Sequence, residues 1–389
     1  MGKRVAMTGN DAAAEAMRQI DPDVVAAYPI TPQTELMHKF AEYVADGKVS
    51  TEFVLVESEH SAMSATVGAS TAGARAMTAT SSQGLALMFE ILHIASGLRL
   101  PIVMPMVNRA LSAPLNIHCD HSDSMSCRDT GWLQLYAENT QEVYDNILMA
   151  VRIAEHPEVL LPVMICYDGF IISHTMEAVE ILDDETAKRF VGEYQPKLQL
   201  LDVERPVTVG ALYLPDHYFE AKVQQARAHQ TAFTVIQEIA QEFTKLCGRS
   251  YDYFESYRME DKEVVDRLRS AGERVGLIKL RVFRPFPHHE LAKALGRTRA
   301  VAVLDRSIAF GSIGGPVYLE VRSALLDQRE RVLVLNYVYG LGGRDIFCED
   351  IGSVYEDLRR VIEMGSTETE TIYLGVRQEK LEQPVHIEV

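Results

Sequence analysis

The chain has 389 residues, 47% of them apolar and 24% charged, and carries a formal net charge of −17. That length allows two or three domains with a core each. So acidic a chain repels phosphate backbones and anionic lipid, which sets aside nucleic-acid and membrane-surface roles.

No run of about 18 apolar residues offers a helix to a membrane. The N-terminal MGKRVAMTGNDAAAEA has one basic pair but no apolar stretch of signal-peptide length. A cytoplasmic location is therefore expected. The five cysteines, Cys119, Cys127, Cys166, Cys247 and Cys348, are scattered with no CxxC spacing. Thiolate clusters need closely spaced ligands, so these read as reduced thiols and no metal site is expected in this chain.

In chain order, VVAAYPI (24–30) reads as a buried strand and TPQTELMHKFAEYV (31–44) as the helix after it. FVLVE (53–57) is a second strand, followed by the small-residue helix SEHSAMSATVGASTAGA (58–74). AMTATSS (76–82), PIVMPMV (101–107) and VMICYD (163–168) continue the strand series, with helices QGLALMFEILHIASG and QEVYDNILMAVRIAEH (141–156) between them. Strands alternating with helices at this spacing predict an α/β fold, a mostly parallel sheet covered on both faces. A long polar helical stretch at about 216–250 reads as a connector leading out of this first domain. A second, smaller α/β domain is expected over 251–389, with VGLIKLRVF, AVAVLDRS and RVLVLNYV as its strands and Arg284-Pro285-Phe286-Pro287 as a stiff turn.

Three positions in the first domain, 1–250, fall at the carboxyl ends of strands, where open α/β sheets bind ligands. Thr31, in YPITP, is suited to cap the next helix with Pro32 at its first position; its hydroxyl can equally donate to a substrate oxygen. Glu59, in ESEH, is favoured by the dipole of the helix it opens. Buried among small residues, however, it would need a partner, and a ligand ring nitrogen is one. Arg109, in VNRAL, either pairs with Asp120 or Asp123 or grips a substrate carboxylate in a two-pronged geometry. The loop His118-Cys119-Asp120-His121-Ser122-Asp123 offers donors for a metal, though not at known ligand spacings. Gly340, Gly342 and Gly343, ahead of Arg344-Asp345, fit a tight turn better than a phosphate cradle, and Gly311, Gly314 and Gly315 do not match GxGxxG.

The segments YPITPQTEL (28–36), ESEHSAMSATVGASTAGARAMTATSSQGLALM (57–88), LPIVMPMVNRALSAP (100–114), DHSDSMSCRDTGW (120–132) and YGLGGRDI (339–346) occur in one order along nearly the whole chain. Together they resemble the alpha subunit of pyruvate:ferredoxin oxidoreductase, in the 2-oxoacid:ferredoxin oxidoreductase family. The resemblance implies a thiamine-diphosphate pyrimidine-binding first domain and a second domain like the C-terminal one of transketolase. It implies that Glu59 meets the pyrimidine ring nitrogen, that Pro29 and Ile30 supply backbone around that ring, and that Thr31 and Arg109 contact the 2-oxoacid. NRALSAP in place of an RGGPSTG-type segment points to pyruvate.

Neither Asp46-Gly47 nor Asp168-Gly169 is preceded by glycine, so the pattern that holds Mg²⁺ and a diphosphate is missing. The resemblance places those groups on a beta subunit and [4Fe–4S] clusters on beta and delta subunits. It adds a gamma subunit, and coenzyme A as acetyl acceptor. An acidic ferredoxin would dock on another subunit. Two alternatives stay open: a sister enzyme for another small 2-oxoacid, and a non-catalytic scaffold. One departure stands out: Tyr257-Arg258-Met259-Glu260-Asp261 runs straight into the helix KEVVDRLRSAG (262–272), where relatives have a strand and a glycine turn.

Overall fold

The structure is a computed structural model that describes residues 2–381 apart from 198, 258–262, 329 and 368–369. The departure just noted falls largely outside the described residues. Two compact units form: one comprises residues up to Ser256 together with Ile278–Pro287, the other Tyr257–Leu277 and the residues from His288 onward. The first crossing lies near the boundary read from the sequence. The return of Ile278–Pro287 has no counterpart in that reading.

In the first unit the elements are β1 (Lys3–Met7), α1 (Gly9–Ile20), β2 (Val24–Ala27), α2 (Thr34–Ala45), β3 (Glu52–Leu55), α3 (Glu59–Thr71) and β4 (Ala76–Met77). Then come α4 (Ser82–Gly97), β5 (Val103–Asn108), α5 (Ser122–Ser126), β6 (Leu133–Ala137), α6 (Thr140–Glu155), β7 (Val163–Asp168), β8 (Glu177–Ile181), α7 (Asp184–Val191) and α8 (Pro215–Cys247). They are followed by β9 (Phe254–Tyr257), α9 (Glu263–Ser270), which belongs to the second unit, β10 (Leu277–Leu280) and β11 (Val282–Arg284).

Seven strands make the main sheet, in the order β11-β6-β7-β5-β4-β2-β3. All neighbours run parallel except β11, which pairs antiparallel with β6. Two pairs stand apart, β1 with β8 and β9 with β10. The parallel sheet is covered on both faces, as crossover helices require. Along β5 and β7 the side chains alternate between two cores: Val103, Val107, Val163, Ile165 and Tyr167 join α1, α2 and α6, whereas Met104, Met106, Met164 and Cys166 join α3 and α4. Helix α1 is anchored at its start by a reciprocal Thr8–Asp11 capping box and buries Ala12, Ala13, Ala14 and Ala16.

Two expectations are corrected. VGLIKLRVF is not one strand of the second domain's sheet: residues 275–277 stay with the second unit, and the segment splits into β10, paired with β9, and β11, which closes the edge of the first sheet. Apolar character marks a strand as buried but does not say which sheet buries it. The break between the two falls at Arg281, which is 1% exposed and donates to Asn146 Oδ1 (2.7 Å) and the carbonyl of Asp252 (2.8 Å). Nor is the long helix a connector leading away: α8 buries Ala228, Ala232, Val235, Ile236, Ile239, Ala240 and Phe243 in the core shared with α6.

The second unit holds α10 (His288–Leu295), β12 (Ala300–Asp305), α11 (Pro316–Leu325), β13 (Leu333–Val338), α12 (Cys348–Met364) and β14 (Ile372–Tyr373). Strands β12, β13 and β14 form one parallel sheet in that order. Its core packs Leu333, Leu335 and Tyr337 against Val354 and Val361 of α12.

Candidate functional site

The chain passes from β2 to β3 in one direction, then jumps back across β2 to β4 and β5. Such a reversal opens a crevice outside the carboxyl ends of the strands. Thr31 follows β2, Glu59 follows β3, the Thr80–Gly84 turn follows β4, and Arg109 follows β5. All three predicted residues therefore lie on one edge of one sheet.

Glu59 is the first residue of α3, whose cap is Ser58 with its Oγ accepting from the Ser61 amide. The side chain of Glu59 is buried, with the residue 7% exposed. Its carboxylate meets no hydrogen-bond donor and no cation among the described residues. Beside it, Gly84 leaves room: a Cβ there would lie 2.3 Å from Thr80 Oγ1, 2.8 Å from Glu59 Cγ and 2.9 Å from Glu59 Oε1. Thr80 Oγ1 and Ser81 Oγ are themselves buried without a partner. Buried polar groups are nearly always satisfied, so the two unsatisfied hydroxyls beside Glu59 mark a place where a ligand supplies the missing bonds.

Arg109, 8% exposed, is held by its surroundings. Its amide donates to Asp123 Oδ2 (2.8 Å), its Nε to the carbonyl of Asn116 (3.1 Å) and its Nη1 to the carbonyl of Thr31 (2.9 Å). The ion pair with Asp120 or Asp123 does not form. Asp123 is turned instead to N–H donors, accepting also from Ser82 N (3.1 Å), Asn108 Nδ2 (2.8 Å) and Ser124 N (2.8 Å). Burial pushes the Asp123 carboxyl up to about 6 against these donors, which pull it down. Among the described residues the Arg109 guanidinium thus faces carbonyl dipoles and no carboxylate, which leaves a buried cation in want of an anion.

Thr31 differs from the capping role. Helix α2 starts at Thr34 with Gln33 as its cap, and no side-chain bond caps it. Gln33 is fully buried and spends its amide on Ile30 N (3.3 Å) and the carbonyl of Ala79 (3.1 Å), so residues 30–33 make a turn, Gln33 N to Ile30 O at 2.8 Å. The Thr31–Pro32 bond is cis, and Asn10 Nδ2 donates to the Pro32 carbonyl (2.8 Å). Thr31 is exposed, Pro29 exposed and Ile30 half-buried. Gly169 lets this turn approach β5 and β7, since a Cβ there would sit 2.6 Å from both Asn108 O and Pro32 Cγ.

Gln33, Thr80, Ser81 and Gly84 join the site without a functional signal of their own in the sequence, and Asp123, expected as an ion-pair or metal partner, serves it as an acceptor of N–H bonds. The visible signal was Ser81-Ser82-Gln83-Gly84 directly after a strand. Ser82 adopts a left-handed φ of 46°, and its Oγ donates to the carbonyl of Ala110 (2.7 Å). That bond ties the β4 turn to the Arg109 turn. The His118–Asp123 loop does not assemble as a metal site: His121 Nε2 meets Asp168 Oδ1 (2.9 Å) and the His118 ring packs on Phe170 at 5.5 Å. Among the described residues one carboxylate trio does converge, Glu138, Glu142 and Glu255, but Lys279 Nζ already lies between them at 3.1, 2.6 and 3.4 Å.

Known proteins resemble this chain in sequence and in fold. Residues 15–241 match the sequence profile of the pyruvate flavodoxin/ferredoxin oxidoreductase thiamine-diphosphate-binding domain, and residues 254–351 that of pyruvate:ferredoxin oxidoreductase core domain II. The pyruvate synthase subunit PorA of Thermotoga maritima is 54% identical over 97% of this chain and 99% of its own length. A ketoisovalerate oxidoreductase subunit, VorA of Pyrococcus abyssi, is 45% identical over 96% and 98%. In fold, the 2-oxoglutarate:ferredoxin oxidoreductase of Magnetococcus marinus superposes with a TM-score of 0.69 at 19% identity, over 92% of this chain and 65% of that one. A thiamine-binding α/β domain followed by core domain II, matched over nearly the full length, places the chain in the pyruvate flavodoxin/ferredoxin oxidoreductase family.

Proposed function

We propose that the chain is the alpha subunit of a pyruvate:ferredoxin oxidoreductase and that the β2–β5 edge receives the pyrimidine half of thiamine diphosphate together with the 2-oxoacid. The reading rests on one observation above all: Glu59 is buried without a partner next to the unsatisfied hydroxyls of Thr80 and Ser81. A carboxylate largely withdrawn from water is stabilised by a hydrogen-bond partner, and a ligand ring nitrogen can offer one. When bound, the cofactor would supply a nucleophilic carbon and an electron sink for decarboxylation of the 2-oxoacid.

The residues of this chain do the rest. Glu59 would hold the pyrimidine ring nitrogen by a hydrogen bond and so bias the tautomer of the ring. Arg109, already aimed by Asn116 and Thr31, binds the substrate carboxylate. The Thr31 hydroxyl donates to a substrate oxygen, with Pro29 and Ile30 as backbone wall beside the ring. The net reaction converts pyruvate and coenzyme A to acetyl-CoA and carbon dioxide, with two electrons passing to ferredoxin, or runs in reverse. Partner beta, gamma and delta subunits carry the Mg²⁺–diphosphate site and the [4Fe–4S] clusters, and the complex works in the cytoplasm.

Pyruvate is favoured over a branched 2-oxoacid by the NRALSAP segment and by the 54% identity to a pyruvate synthase subunit. The 45% identity to a ketoisovalerate subunit supplies the second reading. The purified complex is assayed anoxically for 2-oxoacid-dependent reduction of a viologen dye with coenzyme A. Pyruvate is expected to outpace 2-oxoisovalerate and 2-oxoglutarate. Glu59→Gln should abolish turnover while the thermal midpoint stays unchanged, and full activity in that variant overturns the assignment.

A further inference from the structure

Gly340-Leu341-Gly342-Gly343-Arg344 forms the tight turn that its glycines predict: Gly343 N and Arg344 N bond back to the carbonyls of Gly340 (3.3 Å) and Leu341 (3.2 Å). Gly340, Gly342 and Gly343 take φ values of 62°, 58° and 78°, a run of left-handed backbone that side chains with a Cβ resist. What the turn does is fold the chain away from the carboxyl end of β13. The chain leaving β14 turns off beside it at Gly375, also left-handed with φ 75°. Between the two turns lies a hollow of about 440 Å³, walled by Tyr339, Leu341, Tyr373 and Val376.

Its charge is the informative feature. Arg344, Arg377 and Lys380 line the hollow, and among the described residues no carboxylate does, in a chain whose net charge is −17. The side chains of Arg344 and Arg377 make no ion pair or hydrogen bond with any described residue. Behind the loop, the Arg306 guanidinium lies 5.8 Å over the ring of Tyr339. Carboxyl ends of parallel strands are where α/β sheets take ligands, and guanidinium groups suit phosphate.

We propose that the second unit carries an anion site at the carboxyl ends of β13 and β14, which takes a small ligand bearing a di- or polyphosphate group. Arg344 and Arg377 grip the phosphates and the glycine turn keeps the floor clear of side chains. The site is separate from the thiamine edge and does not depend on that reading.

The full chain is titrated with inorganic pyrophosphate by calorimetry at low salt, as wild type, as Arg344→Gln/Arg377→Gln, and as Arg205→Gln, an exposed arginine of the first unit. Saturable one-site binding is expected for the wild type. The double variant should bind at least about tenfold more weakly, as the loss of charge-assisted contacts predicts, and the Arg205 control equally well. Both altered arginines are exposed, so thermal midpoints should coincide. No saturable binding by the wild type, or equal binding by the double variant, overturns the proposal. Because Glu59→Gln leaves this site intact, it should leave pyrophosphate binding unchanged and so keeps the two readings distinguishable.

Discussion

At the scale of single residues, the site is organised by groups that touch no substrate. Asp123 orients four N–H donors from three turns, and through the amides of Ser82 and Arg109 it sets the spacing between the β4 and β5 turns. Arg109 is then aimed by two carbonyls, a task that needs donors in a planar fork. A lysine retains the charge but cannot serve Asn116, Thr31 and a carboxylate at once. Arg109→Lys should therefore raise KM for the 2-oxoacid by about tenfold or more and leave thiamine binding by the complex unaltered. An unchanged KM would remove Arg109 from the substrate. Arg109, Glu59 and Thr31 were legible because charged or hydroxyl side chains at strand ends stand out against small-residue surroundings. Gln33, Thr80 and Ser81 were not, since nothing in a Gln, Thr or Ser tells whether it will be buried. Their role comes from missing partners, and a missing partner exists only in three dimensions.

At the scale of elements, close approach decides function. Helix α4 opens at the point where α3 presents Glu59, and only a glycine at position 84 allows that contact. Gly84→Ala pushes a methyl into Thr80 Oγ1 and Glu59 Cγ. Overpacking of this kind costs about 1–3 kcal/mol, and here the nearest escape is for the carboxylate to swing away. The variant should stay folded, with a lower thermal midpoint, and lose most of its turnover; wild-type activity would show that the carboxylate has slack.

Helix α8 gives a second element-level test. His229 is held by α8 against the carbonyl of Gly131, Nε2 to O at 3.1 Å, and burial lowers its pKa below the ordinary 6.5. The unfolded chain then takes up a proton at higher pH than the folded one. The contribution of His229 to stability is whole above pH 6.5 and is lost as pH falls through the folded value. His229→Gln keeps a donor for Gly131 but does not titrate. The melting temperature of wild type relative to that variant should fall on acidification below 6.5; a pH-independent difference would mean that α8 does not depend on a neutral imidazole. Elements with continuous apolar runs, such as β5 and β7, were legible from pattern alone. The short LQLYA of β6 escaped notice because Gln134 and Tyr136 break its apolar run, although Gln134 is fully buried and donates to the carbonyl of Ser124 (2.9 Å).

At the scale of the molecule, the sequence conveyed the alternation of strands and helices and the presence of two α/β units, because periodicity is a local property. Which strands share a sheet is not local, and there the reading failed for β11. Its three residues satisfy an edge that opens nearly 150 positions earlier, Val282 opposite Leu135 and Arg284 opposite Gln134. Helix α8 was misplaced for a related reason: it is rich in polar residues, and its buried stripe shows only once α6 is known to lie beneath it. The excursion that delivers β11 also bears on how the protein is made. A ribosome releases the first six strands of the sheet, then α9 of the other unit, and only afterwards the residues that cover β6. At about 5–20 residues per second, the nascent chain spends seconds with that backbone edge open to any passing strand. The unit that bears Glu59 and Arg109 thus cannot finish its sheet in the order in which it is translated, and the cell has to keep a half-built subunit from meeting its own copies on the same messenger.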